Sequence, residues 1–138
     1  MAKISGPLLD RIDLHIEVPA VKYKDLASKE SGESSERIRE RVMKAREIQS
    51  RRFRNKKEIF SNADMQSREI REHCRLDAAG EELLKMAITK LGLSARAYDR
   101  MLKVGRTIAD MAASVDIRPE HISEAIQYRS LDRNMNVV

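Results

Sequence analysis

The chain has 138 residues and a net charge of +5, with 36% charged residues, 4% aromatic residues and no Trp. This composition favours a mainly helical domain with a modest core. An internal disulfide is excluded because Cys74 is the only cysteine, and no apolar run approaches the length that spans a bilayer. With no signal-peptide pattern either, we expect a cytoplasmic protein without a membrane partner.

Residues 1–20 contain the only pattern that is typical of a strand. Apolar and polar residues alternate up to Pro19, which predicts a half-buried strand over Ile12–Val18 with its aliphatic side chains inward. A single strand cannot form a sheet, so its partners are expected upstream of Met1 or on another molecule, and alone it would be frayed. We interpret residues 1–20 as the end of a larger α/β core, followed by a polar linker over residues 21–33.

Residues 34–75 carry the excess positive charge. Glu33–Glu58 contains ten Lys or Arg residues and five Glu residues, so its excess of five equals the net charge of the chain. A helix is predicted from Ser34 or Ser35 to about Arg54, docked by a thin apolar stripe, and a connecting helix over Ser67–His73. The stripe consists of Ile38, Val42, Ala45, Ile48 and Phe53.

This basic segment has two interpretations. It fits a nucleic acid or another polyanion as partner, although a helix rich in Arg and Glu is more often a solvated surface. Phe53 and Phe60 lie among the basic residues, and they could either stack on bases or anchor the core. The candidate nucleic-acid contacts are Arg51, Arg52, Arg54, Lys56 and Lys57.

Residues 76–130 predict a compact helical bundle, before a polar tail over residues 131–138. Asp77 caps a helix that Gly92 closes, and Ser94 caps a central helix that runs to Ala113. Pro119 stands at the start of a last helix over Glu120–Tyr128. The short connections make these three helices neighbours.

The narrow polar face of the central helix is basic in its N-terminal half. It carries Arg96, Arg100, Lys103, Thr107 and Asp110. A cation in the first turn, as Arg96 is, faces the positive end of the helix dipole, so a shared anion such as phosphate would explain its position. Solvent exposure or a carboxylate partner would also explain it.

Motifs for independent catalysis are missing from the sequence. There is no phosphate-binding loop of the G-x-x-x-x-G-K-[ST] type, and the four His and Cys residues are scattered without ligand spacing, so we expect no metal site. Arg11 stands just before the predicted strand, where its guanidinium could reach a phosphoryl group on a neighbouring molecule. The alternatives for Arg11 are an ion pair with Asp10 or Asp13, or simple exposure.

Four separated motifs closely resemble the C-terminal part of the magnesium-chelatase-like AAA+ ATPases of the ComM type. They are SGPLLDRIDLHIEVP at Ser5–Pro19, NADMQSREIREHCRLD at Asn62–Asp77, LGLSARAYDRMLKVGRTIADMA at Leu91–Ala112 and HISEAIQYRSLDR at His121–Arg133. The resemblance implies a mainly α fold: the C-terminal helical lid of an AAA+ protein over residues 76–130, preceded by one orphan strand from the AAA+ core.

The resemblance also implies a function. Arg11 matches a trans-acting arginine finger, and Arg96 matches the sensor 2 arginine that contacts ATP phosphate, with Arg100 on the same face. The complete protein is expected to use ATP and Mg²⁺, to form a homo-oligomeric ring, expected to be a hexamer, and to act on DNA in competence or recombination. The chain alone is expected to bind no cofactor and to be inactive, because it lacks the Walker A and B segments.

Two alternatives stay open at this point. One is an ATPase subunit of magnesium-chelatase type whose partner is a porphyrin-binding protein. The other is a basic helical module that binds nucleic acid by itself.

Overall fold

The computed structural model describes residues 6–20, 22–27 and 32–129. Outside them lie residues 1–5 of the predicted core end, residues 21 and 28–31 of the predicted linker, residue 130 and the predicted tail over residues 131–138. The helices are α1 (Gly6–Arg11), α2 (Tyr23–Leu26), α3 (Ser35–Arg52), α4 (Ser67–His73), α5 (Ala78–Leu91), α6 (Ala95–Met111) and α7 (Pro119–Gln127), with a 3₁₀ turn at Asn62–Asp64. The predicted mainly α fold is confirmed.

Helix α3 begins where its cap predicts but docks over a shorter length than expected. The Ser34 hydroxyl accepts a hydrogen bond from the Arg37 amide at 3.3 Å. Of the predicted stripe, Ala45 and Phe53 are buried, whereas Ile38 and Val42 are 43% and 39% exposed. The prediction of a fully docked stripe is therefore wrong for the N-terminal half, because only the C-terminal half of α3 lies against α6.

The helix starts in the bundle follow from local capping chemistry. Asp77 Oδ1 accepts a hydrogen bond from the Gly80 amide at 2.7 Å, and the Ser94 hydroxyl accepts one from the Ala97 amide at 3.2 Å. Between them, Gly92 ends α5 in the left-handed region with φ +61°, which glycine adopts without steric cost. The predicted caps are confirmed, and α6 ends at Met111, two residues before the predicted Ala113.

Helix α6 is the centre of the bundle. It packs against α3, α4 and α7, and α7 also packs against α5. Pro119 is the first residue of α7, as predicted, and the His121 ring accepts a hydrogen bond from the Arg118 amide at 2.9 Å. The buried apolar cluster consists of Phe53, Met65, Ile70, Cys74, Leu84, Met101, Leu102, Ala109, Ile117 and Ile122.

The predicted strand over Ile12–Val18 is not formed. Residues 14–20 have no regular secondary structure, and the only β pairing among the described residues is an isolated bridge between Leu76 and Ile117. His15, which alternates with the aliphatic residues of this segment, is buried, and its backbone amide donates to the Tyr128 carbonyl at 2.7 Å. A strand is stabilised by a ladder of such bonds, and no described segment provides one here.

Candidate functional site

A cleft of about 640 Å³ lies between residues 13–16, α6 and the end of α7. Its charged lining combines both signs: Arg96, Arg100 and Lys103 with Asp13, Asp99 and Glu124. The apolar part of the lining includes Leu14, Ile16, Val104, Ile108 and Met111. All three cations come from α6, so the polar face predicted from the sequence does border a cavity.

Arg96 is the exposed cation of this cleft. It lies in the first turn of α6, whose start is fixed by the Ser94 cap. Its guanidinium makes no hydrogen bond or ion pair within the part of the chain that the structure describes. The free amides and positive dipole end of a helix N-terminus favour an anion there. A negatively charged group in the cleft would therefore meet both Arg96 and the end of α6.

Arg100 and Lys103 already have partners. The Arg100 guanidinium forms an ion pair with Asp13, whose side chain is 51% exposed. Lys103 Nζ donates to the Ala63 carbonyl at 3.0 Å. An anion that entered the cleft would find Arg96 available, but it would compete with Asp13 for Arg100.

Arg11 is placed apart from the other two candidates. It is the last residue of α1, is exposed and does not line the cleft. Among the described residues no ion pair joins it to Asp13, whose carboxylate pairs with Arg100. The structure thus brings Arg96 and Arg100 together on one helix and leaves Arg11 on the surface, two residues before Asp13.

The predicted nucleic-acid residue Arg52 is largely buried and is not part of the exposed basic surface. Its side chain is 12% exposed and donates to Asp110 at 2.6 and 2.8 Å and to Asn62 Oδ1 at 2.9 Å. At the C-terminal end of α3 this position faces α6, so Arg52 serves as a partner for a buried carboxylate.

The other four basic candidates remain at the surface and differ in their pairing. Arg51 forms an exposed ion pair with Glu47 at 2.6 Å, and Lys56 Nζ lies 4.0 Å from Glu69. Arg54 and Lys57 are exposed and have no side-chain partner among the described residues. Two unpaired cations therefore remain in the turn that follows α3.

Sequence reasoning missed the buried charge cluster. Asp110, expected on the polar face, is 2% exposed and also accepts from Asn62 at 2.9 Å, while Arg106 Nε lies 3.3 Å from it. The Arg106 guanidinium donates to the carbonyls of Ser114 and Val115 and so fixes the chain after α6. Burial lowers the pKa of Arg106, and Asp110 opposes that shift. The spacing of Arg106 and Asp110, four residues apart on one helix, was the available signal.

The described residues contain no group of three or more His, Cys, Asp or Glu side chains arranged to hold a metal ion. They also include no helix of the length and hydropathy needed to cross a membrane.

Comparisons with known proteins agree with this fold. The family described as "Magnesium chelatase, subunit ChlI C-terminal" matches residues 32–129, and "Magnesium chelatase, subunit ChlI" matches residues 1–26. The chain is 44% identical to "Competence protein ComM" of Haemophilus influenzae and 43% identical to "Uncharacterized protein YifB" of Escherichia coli. Each alignment covers 95% of this chain and 25% of the relative.

An uncharacterized protein of Mycobacterium bovis is 31% identical over 94% of the chain. The matches and the helical bundle define an AAA+ protein of magnesium-chelatase-like type. The chain belongs to the magnesium chelatase ChlI family, and it resembles the members of the ComM type. It spans about a quarter of the length of the curated relatives that it matches.

Proposed function

We propose that this chain is the C-terminal part of a cytoplasmic, ring-forming AAA+ motor that hydrolyses ATP and acts on DNA. In this proposal Arg96 contacts the phosphates of bound ATP, Arg100 assists it, and Arg11 is supplied to the nucleotide of the neighbouring subunit. The Mg²⁺ ion and the phosphate-binding loop belong to a part of the protein outside this chain.

The position of Arg96 carries the proposal. An unpaired guanidinium beside a helix N-terminus is electrostatically unfavourable alone and favourable with a phosphate, because the fork of N–H donors matches phosphate oxygens. The cleft beside it has room for such a group. Family membership and the name of the Haemophilus relative support an AAA+ protein linked to competence.

The Asp13 ion pair adds a mechanical link to this proposal. Asp13 holds Arg100 and lies two residues after Arg11, so the segment that carries the proposed finger is tied to α6. A phosphate that displaced Asp13 from Arg100 would break this ion pair. Nucleotide binding and the mobility of the Arg11 segment would then be coupled, because the Arg100 guanidinium can pair with either the phosphate or Asp13.

The test is ATP turnover by a protein of the length of the relatives. We expect Arg96→Ala and Arg11→Ala to abolish most turnover, and Asp13→Asn to strengthen nucleotide binding. Arg71→Ala is the matched control, because Arg71 is an exposed arginine on α4 outside the cleft. Normal turnover by the Arg96→Ala protein would contradict the assignment of the phosphate contact.

Mixed rings test the role of Arg11 in trans. Subunits that carry Arg11→Ala should regain activity when mixed with subunits that are intact at Arg11 but cannot bind ATP, because each then supplies what the other lacks. No recovery in mixtures that do assemble would contradict a finger acting across subunits.

The dependence on DNA separates this proposal from the chelatase alternative. We expect single-stranded or branched DNA to stimulate ATP turnover of the wild-type protein. If DNA has no effect, and a porphyrin-binding partner stimulates turnover instead, the chelatase-type function replaces the one proposed here.

A further inference from the structure

The turn between α3 and α4 presents an aromatic ring to solvent. Phe60 is 75% exposed, whereas Ile59 beside it packs against the buried cluster. Single exposed apolar residues are common on protein surfaces. What distinguishes Phe60 is the way in which its backbone is held.

The backbone of Phe60 and of the two residues after it is fixed to the protein. The amides of Phe60 and Ser61 donate to one oxygen of Asp64, at 3.0 and 3.2 Å. Asn62, the residue after Ser61, is 1% exposed, and its backbone amide donates to Gln49 Oε1 at 2.9 Å. The turn is therefore anchored in the core immediately after the exposed ring, and the ring is displayed on a rigid support.

The anchor of the turn is shared with helix α6. The Asn62 side chain donates to Thr107 at 3.0 Å and to Asp110 at 2.9 Å. One residue further on, the Ala63 carbonyl accepts from Lys103 and lines the cleft that contains Arg96. A ligand held at Phe60 would thus lie on a turn that is joined directly to the helix of the proposed phosphate contacts.

The charges of the segment that leads to the ring favour a polyanion. Residues 54–60 contain three basic residues and one acidic residue, Glu58. Arg54 and Lys57 are exposed without a side-chain partner among the described residues, and the Asp64 carboxylate already accepts the two amides of the turn. The surface thus combines an exposed ring with unpaired cations.

We infer that the segment after α3 that carries Arg54, Lys57 and Phe60 is a binding site for single-stranded nucleic acid, with one base stacked on Phe60 and phosphates at the two cations. An exposed ring can reach the face of an unpaired base, whereas the base faces in a duplex are covered by their neighbours. The rigid support reduces the entropy lost on binding. The inference deepens the proposed action on DNA and rests on it.

Binding of a labelled oligo(dT) strand tests the inference, measured by fluorescence anisotropy for this chain and for a protein of the relatives' length. Phe60→Ala should weaken binding roughly ten-fold, within the range of base–aromatic stacking, and Phe60→Tyr should retain it. Lys57→Gln should weaken binding and reduce its salt dependence. Tyr23→Ala is the matched control, because Tyr23 is 83% exposed between Lys22 and Lys24 and should leave binding unchanged.

A direct optical probe is possible because the sequence contains no Trp. Phe60→Trp should be quenched by oligo(dT) but much less by a duplex of the same length, and Tyr23→Trp should respond to neither. Equal quenching by the duplex would overturn the preference for single strands.

The outcomes separate this inference from the proposed function. If the wild type binds oligo(dT) and Phe60→Ala binds equally well, the site is wrong although the action on DNA stands. If Phe60→Ala leaves binding unchanged and alters sedimentation instead, the ring is a contact between subunits and the inference is overturned. If neither protein length binds DNA of any form, both the inference and the DNA part of the proposed function fail, whereas the Arg96 test of ATP turnover is unaffected.

Discussion

Two adjacent arginines of α3 allow a matched test of how burial changes the contribution of an ion pair. Arg51 and Arg52 each place a terminal nitrogen 2.6 Å from a carboxylate oxygen, of Glu47 and Asp110 respectively. The Arg51 pair is about two-thirds exposed on both sides, whereas the Asp110 side chain is completely buried and Arg52 is 12% exposed. The arginine, the helix and the shortest nitrogen–oxygen distance are therefore matched, whereas burial, the partner and the number of hydrogen bonds differ.

The expected free energies of unfolding differ several-fold. Removal of one member of a buried ion pair costs about 3–5 kcal/mol, because the remaining charge keeps its desolvation penalty. Arg106 at 3.3 Å still compensates Asp110, so we expect Arg52→Ala to lose about 3 kcal/mol, the lower end of that range. For the exposed pair, Arg51→Ala should lose less than about 0.5 kcal/mol.

Urea unfolding followed by circular dichroism measures both variants. With a slope of about 2 kcal/mol per molar urea, Arg52→Ala should lower the midpoint by about 1.5 M and Arg51→Ala by less than about 0.3 M. Arg52→Met separates charge from packing, because it keeps much of the side-chain volume. Equal small losses for Arg51→Ala and Arg52→Ala would refute the reasoning, and full stability of Arg52→Met would assign the loss to packing.

Three smaller predictions concern the core around α6. A methyl group at Gly105 would lie 2.9 Å from Ile122 Cδ1, the atom that Ile122→Val removes. Ile122→Val alone should cost about 1 kcal/mol of stability, and it should cost less in the Gly105→Ala background. Additive losses in a double-mutant cycle measured by urea unfolding would contradict this contact. Burial lowers the pKa of His73 below its usual 6.5, so the unfolded state binds more protons between the two values. Stability should therefore fall as pH drops through 6.5 towards the folded pKa, and urea midpoints of His73→Gln should fall less. Burial raises the pKa of Cys74 to about 11, so only about a thousandth of the thiol is ionised at pH 8, and its labelling by a thiol reagent should be slow until urea unfolds the chain.

The sequence predicted the features that depend on a few neighbouring residues. Asp77, Ser94 and Pro119 mark helix starts, and Gly92 marks a helix end, because capping involves amides within three or four residues of the cap. These signals are local, so one chain without its tertiary contacts is enough to read them.

The charge cluster could not be predicted in the same way. Arg52 and Asp110 are 58 residues apart, and residue type alone assigns both to a solvated face. They are buried because α3 packs against α6 and because the Asn62 side-chain amide hydrogen-bonds to both of them. The same contacts decide which basic residues stay at the surface, so the exposure of each nucleic-acid candidate could not be predicted without the fold.

The exposure of the N-terminal segment explains why its alternating pattern failed to predict a strand here. Ile12, Leu14, Ile16 and Val18 are 38%, 45%, 65% and 80% exposed, so exposure rises steadily away from the contacts at Ile12, Asp13 and His15. An alternating pattern buries one side of a strand only when neighbouring strands are present. Here the contacts with α6 and with the residues after α7 determine which side chains are buried. Amide hydrogen exchange of this chain should therefore show protection at His15 and none over residues 16–18. Protection over residues 16–18 that increases with protein concentration would mean that a second copy supplies the missing strand, and protection independent of concentration would contradict the described conformation.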